Sequence, residues 1–151
     1  ASGDSKLLLE KTDSFIDFIK TFADTFHHGK EADVLFAYLS RPGVLTHCNP
    51  IGQMLYEHDL GRSLVDGMAK SKLNANLSEL IHNARSYSEL LQQHIKKEDM
   101  ILYPMAEEGL GDSDKEAIIN EYIASEQKLG GNAILDKYKK LYDELSKTLK
   151  R

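Results

Sequence analysis

Two histidines in this 151-residue chain are each followed four residues later by a glutamate, and both pairs fall where a helix would bury them. The pairs are His27 with Glu31 and His94 with Glu98. Read at helical period, Ile16, Ile19, Ala23, His27, Glu31, Val34 and Tyr38 share one stripe; Tyr87, Leu91, His94, Glu98, Ile101 and Met105 share another. Gln92, Lys96, Lys97 and Asp99 lie off the second stripe and keep its outer face polar. Residues four apart on a helix are neighbours, so each histidine and its glutamate aim at one spot. A carboxylate in an apolar seam is costly, and is protonated, paired or metal-bound.

A third stripe, Ile51, Met54, Leu55, His58, Arg62 and Val65, carries another inward histidine. Glutamate makes up 12 of the 151 residues, so the four-residue spacing alone decides little. Position decides more. His27, His58 and His94 lie on buried stripes of separate helices, whereas His82 is displaced from its helix's stripe and belongs in solvent. One such histidine is ordinarily a core residue bonded to a carboxylate. Three with two inward glutamates favour a metal.

The chain is long enough for one domain with a real core. Its net charge of -5, with 28% charged residues, argues against a dedicated nucleic-acid surface. No apolar run approaches the roughly 20 residues that span a membrane, and the first residues do not read as a signal peptide. Cys48 is the only cysteine, which rules out an intramolecular disulfide and suggests a reducing compartment, so a cytoplasmic location is expected.

In order, the pattern predicts helix throughout. A long amphipathic segment runs from residue 5 to about 40 and stops at Arg41-Pro42-Gly43. Asn49 is the expected N-cap of a second helix, with Pro50 at its first position, reaching about Lys70. A third begins near Asn74 or Asn76 and runs to about Glu107, with Pro104 at its last turn or a kink. After Gly109-Leu110-Gly111, Asp112 or Ser113 caps a helix to about Lys128, and Gly130-Gly131 separates it from a last one over about 132–149. Strand patterns and fixed-period repeats are missing, so the fold class is all-α, an antiparallel up-and-down bundle. Metal-motif helices cover about 5–107, and a C-terminal helical extension about 112–150.

Imidazole with carboxylate suits iron, zinc or manganese, and Cys48 sits apart in a loop, so iron is the first expectation. Arg62 stays protonated and cannot be a ligand. One turn after His58, it leaves a coordination place open and can bond an anion on the metal or hold a glutamate in place.

The segment from Phe22 to Phe36, containing His27-His28-Gly29-Lys30-Glu31, resembles the second-helix motif of the hemerythrin-like, HHE cation-binding proteins. Glu57-His58-Asp59-Leu60-Gly61-Arg62 resembles their third-helix motif in its arginine variant, and His94 to Pro104 resembles the fourth. The resemblance implies a non-heme centre of two irons, oxygen-bridged, that meets dioxygen, nitric oxide or peroxide. By position it makes His27, His58 and His94 terminal ligands and Glu31 and Glu98 bridging carboxylates, with Arg62 beside the cofactor. His28 comes directly after a ligand and faces about 100° away from it, so it is expected beside the centre or at its boundary rather than on the metal, although some members of the resembled family use a residue there.

The family's usual first helix, with its Glu-His pair, has no counterpart ahead of residue 5, which leaves one iron short of ligands and one bundle side open. The gap can be filled in three ways: by Glu121 or Glu126 from the C-terminal helices, by a homodimer covering the open face, or by a parent chain that carries the helix. Functionally, the first expectation is a binding or sensor module for dioxygen, nitric oxide or iron. A di-iron oxidase or peroxidase is the alternative, in which Tyr56, Tyr87 or Tyr103 donates electrons or hydrogen bonds. A metal-free interaction bundle is the third.

Overall fold

In a computed structural model, residues 3–149 are described, and they form an all-α bundle. No helix among them is long and apolar enough to cross a membrane. The first helical rod starts as α1 (Gly3–Phe18), widens into π-helical turns over Ile19–His28 and again over Glu31–Leu35, and finishes as α2 (Phe36–Leu39). It ends before Pro42, and Gly43 turns the chain at φ +84°, a left-handed conformation that a Cβ disfavours. Then come α3 (Ile51–Leu73) and α4 (Leu77–Lys97). From α4 the chain continues through a third π-helical segment, Glu98–Leu102, into α5 (Tyr103–Gly109).

Side-chain caps set two of these starts. The Asn49 carboxamide oxygen accepts from the Ile51 N–H at 3.0 Å, and that of Asn76 accepts from the Glu79 N–H at 3.2 Å, so the later of the two expected starts is the observed one. For α6 (Asp112–Leu129) the expectation differs: Gly111 occupies the cap position without a side-chain bond, and Asp112 and Asp114 lie in the first turn, where the helix dipole favours them. Gly130, at φ +72°, closes α6 and admits α7 (Gly131–Leu149).

Together α6 and α7 run antiparallel along the whole first rod. Arg41 meets Asp114 at 2.8 Å, the Tyr38 hydroxyl donates to Glu121 at 2.6 Å, and Lys30 pairs with Glu126. Further on, Lys137 and Tyr138 reach Asp17 at 2.6 and 2.9 Å, while the Tyr138 ring packs edge-on against Phe18 and Phe22. Two apolar clusters result. One gathers Val34, Leu35, Tyr38, Leu39, Met54, Leu102 and Ile118; the other Ile19, Ala23, Val65, Met68, Leu80 and Tyr87. The polar histidines and glutamates lie between these two clusters along the rods.

All three π-helical segments coincide with these residues. The Gly29 N–H bonds to the Asp24 carbonyl, Phe36 to Glu31 and Tyr103 to Glu98, each five residues back rather than four. Each such bond takes an extra residue into the turn and rotates the next stretch of helix about its axis, a device frequent at functional sites. Hence Leu102 and Ala106 are buried beyond Glu98, and Ile101, on the α-helical stripe, is exposed.

Candidate metal centre

Six side chains from the first rod, α3 and the α4 rod converge in two neighbouring groups of possible metal donors. His28, His58 and His94, all buried, form one; His27, Glu31 and Glu98 form the other, and within each group the donor atoms lie within 4.8 Å of one another. His28 stacks on His58 with ring centroids 3.9 Å apart, and the His58 and His94 Nε2 atoms stand 3.2 Å apart. The carboxylates lie between the groups. Glu98 Oε1 is 3.1 Å from His94 Nε2 and 3.7 Å from His27 Nε2, and Glu31 Oε2 is 3.7 Å from His58 Nε2.

These residues fit a cation. Glu31 Oε2, Glu98 Oε1 and His58 Nδ1 are buried without a hydrogen-bond partner, a costly state for polar atoms that coordination of the carboxylates relieves. Burial, reinforced by the neighbouring Glu98 charge, pushes the Glu31 carboxyl up to about 7. Burial acts on Glu98 the same way, but the nearby imidazoles of His27 and His94 outweigh it and hold Glu98 below the usual carboxylate range. Burial also drives His28 down to about 3 and His58 to about 4, with neighbouring positive groups adding to it, so both imidazoles are neutral and offer lone pairs. His27 moves up instead, chiefly through the Glu98 carboxylate 3.7 Å from its Nε2.

A supporting layer fixes the donors. Glu57, on α3 beside His58, is buried; it accepts from His94 Nδ1 at 2.9 Å, from Gln53 at 2.6 Å and from Lys97. That bond puts the proton on His94 Nδ1 and turns Nε2 toward the donors, the usual part of a carboxylate behind a metal-ligating histidine. The Tyr103 hydroxyl donates to Glu31 Oε1 at 2.9 Å. From α6, Tyr122 packs against the apolar cluster of Val34 and Ile118; burial and then the Glu31 and Glu98 charges raise its hydroxyl well above the usual tyrosine value.

The family model of the hemerythrin HHE cation-binding domain matches residues 2–106. The chain belongs to that family. No curated protein and no solved structure matches it. Cation binding is thus the property that the HHE domain brings, and the two donor groups are compatible with it.

Against the HHE motifs, the structure brings His27, Glu31, His58, His94 and Glu98 together as their stripes indicate. Two residues stand elsewhere than expected. His28, placed beside the centre by α-helical geometry, lies inside the buried histidine group, because the π-helical turns over Ile19–His28 rotate it inward; His27 is the more exposed of the two. Arg62, read on the inward stripe, is about half exposed and binds Asp24 through Nε at 3.0 Å and Nη2 at 2.8 Å, and Asp59 through Nη1 at 2.8 Å. Gly61 takes the inward place. Glu121 and Glu126 do not supply the extra ligand either, being held by Tyr38 and Lys30. Glu57 was legible only as part of the Glu57-His58 pair, since its partner His94 lies 37 residues away.

Proposed function

We propose that the chain holds two iron ions, one at His28, His58 and His94 and one at His27, Glu31 and Glu98, and that this centre takes up a small molecule such as dioxygen or nitric oxide. The observation that carries the reading is the position of the carboxylates. Glu98 Oε1 is within 3.7 Å of an imidazole in each group, and Glu31 reaches from its own group to His58. Carboxylates so placed can serve two cations at once, one in each set of donors. Nitrogen and oxygen donors without thiolate suit iron, with manganese and zinc as substitutes. Iron supplies the redox chemistry that reversible binding of these molecules draws on.

The chain's own residues prepare the centre. Neutral His28 and His58 coordinate without losing a proton, Glu57 holds His94 in one tautomer, and Tyr103 fixes one Glu31 oxygen while leaving the other free. Phe36 stacks on His58 with ring centroids 6.0 Å apart and holds its ring in place. The test is elemental analysis of protein purified aerobically from an iron-supplied culture, with an optical spectrum of the same sample. Close to two irons per chain with near-ultraviolet oxo-bridge absorption is the expected result. One metal or none overturns the two-iron reading.

A further inference from the structure

Helices α6 and α7 form a strap along the first rod, and they lie beyond residue 106, where the match to the HHE domain ends. The strap meets the rod at Phe18 and Phe22 through the Tyr138 ring, at Phe26 through Gly131, at Lys30 through Glu126 and at Tyr38 through Glu121. Its partners on the rod are thus spaced by four residues or a multiple of four. A plain α-helix does not keep such residues on one face. At about 100° per residue each step of four drifts by about 40°, which leaves Phe18 and Tyr38 about 200° apart.

The widened turns over Ile19–His28 and Glu31–Leu35 remove that drift. An extra residue taken into the turns of each segment sets the rod beyond it back by about 100°, so the two together bring Phe18 and Tyr38 to one side. The same rotation carries His28 into the histidine group. Since π-helical turns are rare in a helix left to itself, the register calls for support from outside the rod. The strap supplies it with a light hold: among its described apolar side chains only Ile118 and Tyr138 are buried, and hydrogen bonds and ion pairs fasten it elsewhere. We infer that the strap fits the first rod only in the widened register and thereby positions His28, and that its release lets the rod return to α-helix with His28 turned out of the histidine group. This holds with or without iron, so the inference goes beyond the two-iron reading.

The test uses the full chain, freed of metal by chelation, and reads histidine accessibility by diethyl pyrocarbonate modification and tandem mass spectrometry. In the parent, half-exposed His27 and exposed His82 are modified, and buried His28, His58 and His94 are protected. Two variants loosen opposite ends of the strap without touching a donor: Tyr38→Phe with Glu126→Gln, and Tyr138→Ala. In both, hydrogen exchange over α6 and α7 is expected to quicken and His28 modification to rise about tenfold, while His58 and His94 stay protected. Unchanged protection of His28 with the strap released overturns the inference. Exposure of all three histidines together overturns it as well, because the strap then supports the whole bundle. So does unchanged exchange over α6 and α7 in both variants, since other contacts then hold the strap. Metal content decides the two-iron reading separately, and none of these outcomes touches it.

Discussion

The histidine group and the glutamate group sit side by side, yet they meet their cost of burial in opposite ways. His28 and His58 surrender their charge; burial holds them neutral at about 3 and 4. Glu31 and Glu98 share theirs unequally, Glu31 rising to about 7 while Glu98 stays ionised against His27 and His94. One group is therefore a set of lone pairs ready for a cation. The other holds a proton that a cation must displace. Placing both at one seam couples the two positions through Glu98, whose Oε1 is in direct reach of an imidazole from each group.

The largest effects separate the groups. Glu98→Ala removes the shared carboxylate, and both metals are expected to be lost in elemental analysis. His28→Ala is expected to leave about one metal per chain, held by His27, Glu31 and Glu98. His27→Ala leaves one in the histidine group, and the two variants differ in their optical spectra. If His28→Ala retains two metals, the histidine group is not a site and the comparison collapses.

Those substitutions also show what the sequence made legible. The helices, most of their ends and five of the six donors come from apolar periodicity and cap residues, because those signals are local; the start of α6 at Gly111 is the exception. His28 does not. Its burial depends on carbonyl-to-amide bonds five residues apart in the first rod, and nothing in Ile19-Lys20-Thr21-Phe22 spells that widening out. Arg62 leaves the inward stripe for a related reason: on α3 its neighbour Gly61 takes the inward place against the Tyr87 ring, 3.5 Å from where a Cβ would stand, and Asp24, 38 residues away, holds the guanidinium outside the donor groups. The antiparallel pairing of α6 and α7 with the first rod rests on contacts such as Tyr38 with Glu121, too distant in sequence to be read from either helix alone.

Behind the histidine group, Glu57→Gln keeps the shape but weakens the acceptor for His94 Nδ1. Metal affinity at that group is expected to fall about 10- to 100-fold, measured by chelator competition, with the fold intact by circular dichroism. Equal loss from both groups would show that Glu57 supports the bundle rather than His94.

For the glutamate group the corresponding lever is pH. Glu31 binds a cation only when deprotonated, and its carboxyl sits at about 7, so affinity is expected to fall by up to about tenfold per pH unit below 7 from this group alone and to level off above it. Glu31→Gln binds more weakly but loses that part of the slope. His28 and His58 contribute no slope in this window, being neutral from about pH 4 upward. In the metal-free chain the sign is reversed: a carboxyl raised above its ordinary 4.5 contributes stability that is full below 4.5 and gone once pH passes about 7.

The smallest effect is expected at Arg62. Its ion pairs with Asp24 and Asp59 are half exposed, and such pairs contribute about 0–1 kcal/mol each, so Arg62→Ala should lower the melting temperature by only a few degrees. Its electrostatic consequence points toward the histidine group. The guanidinium helps hold His58 low, and Asp24 lies 3.7 Å from His28 Nδ1, so removing the cation raises both imidazoles toward protonation. Both start so far below neutrality that they stay uncharged at pH 7. Metal content at neutral pH is therefore expected to be unchanged in Arg62→Ala, with loss appearing only on acidification. A variant that drops one metal at pH 7, as His28→Ala does, would make Arg62 a working part of the histidine group rather than a residue of its rim.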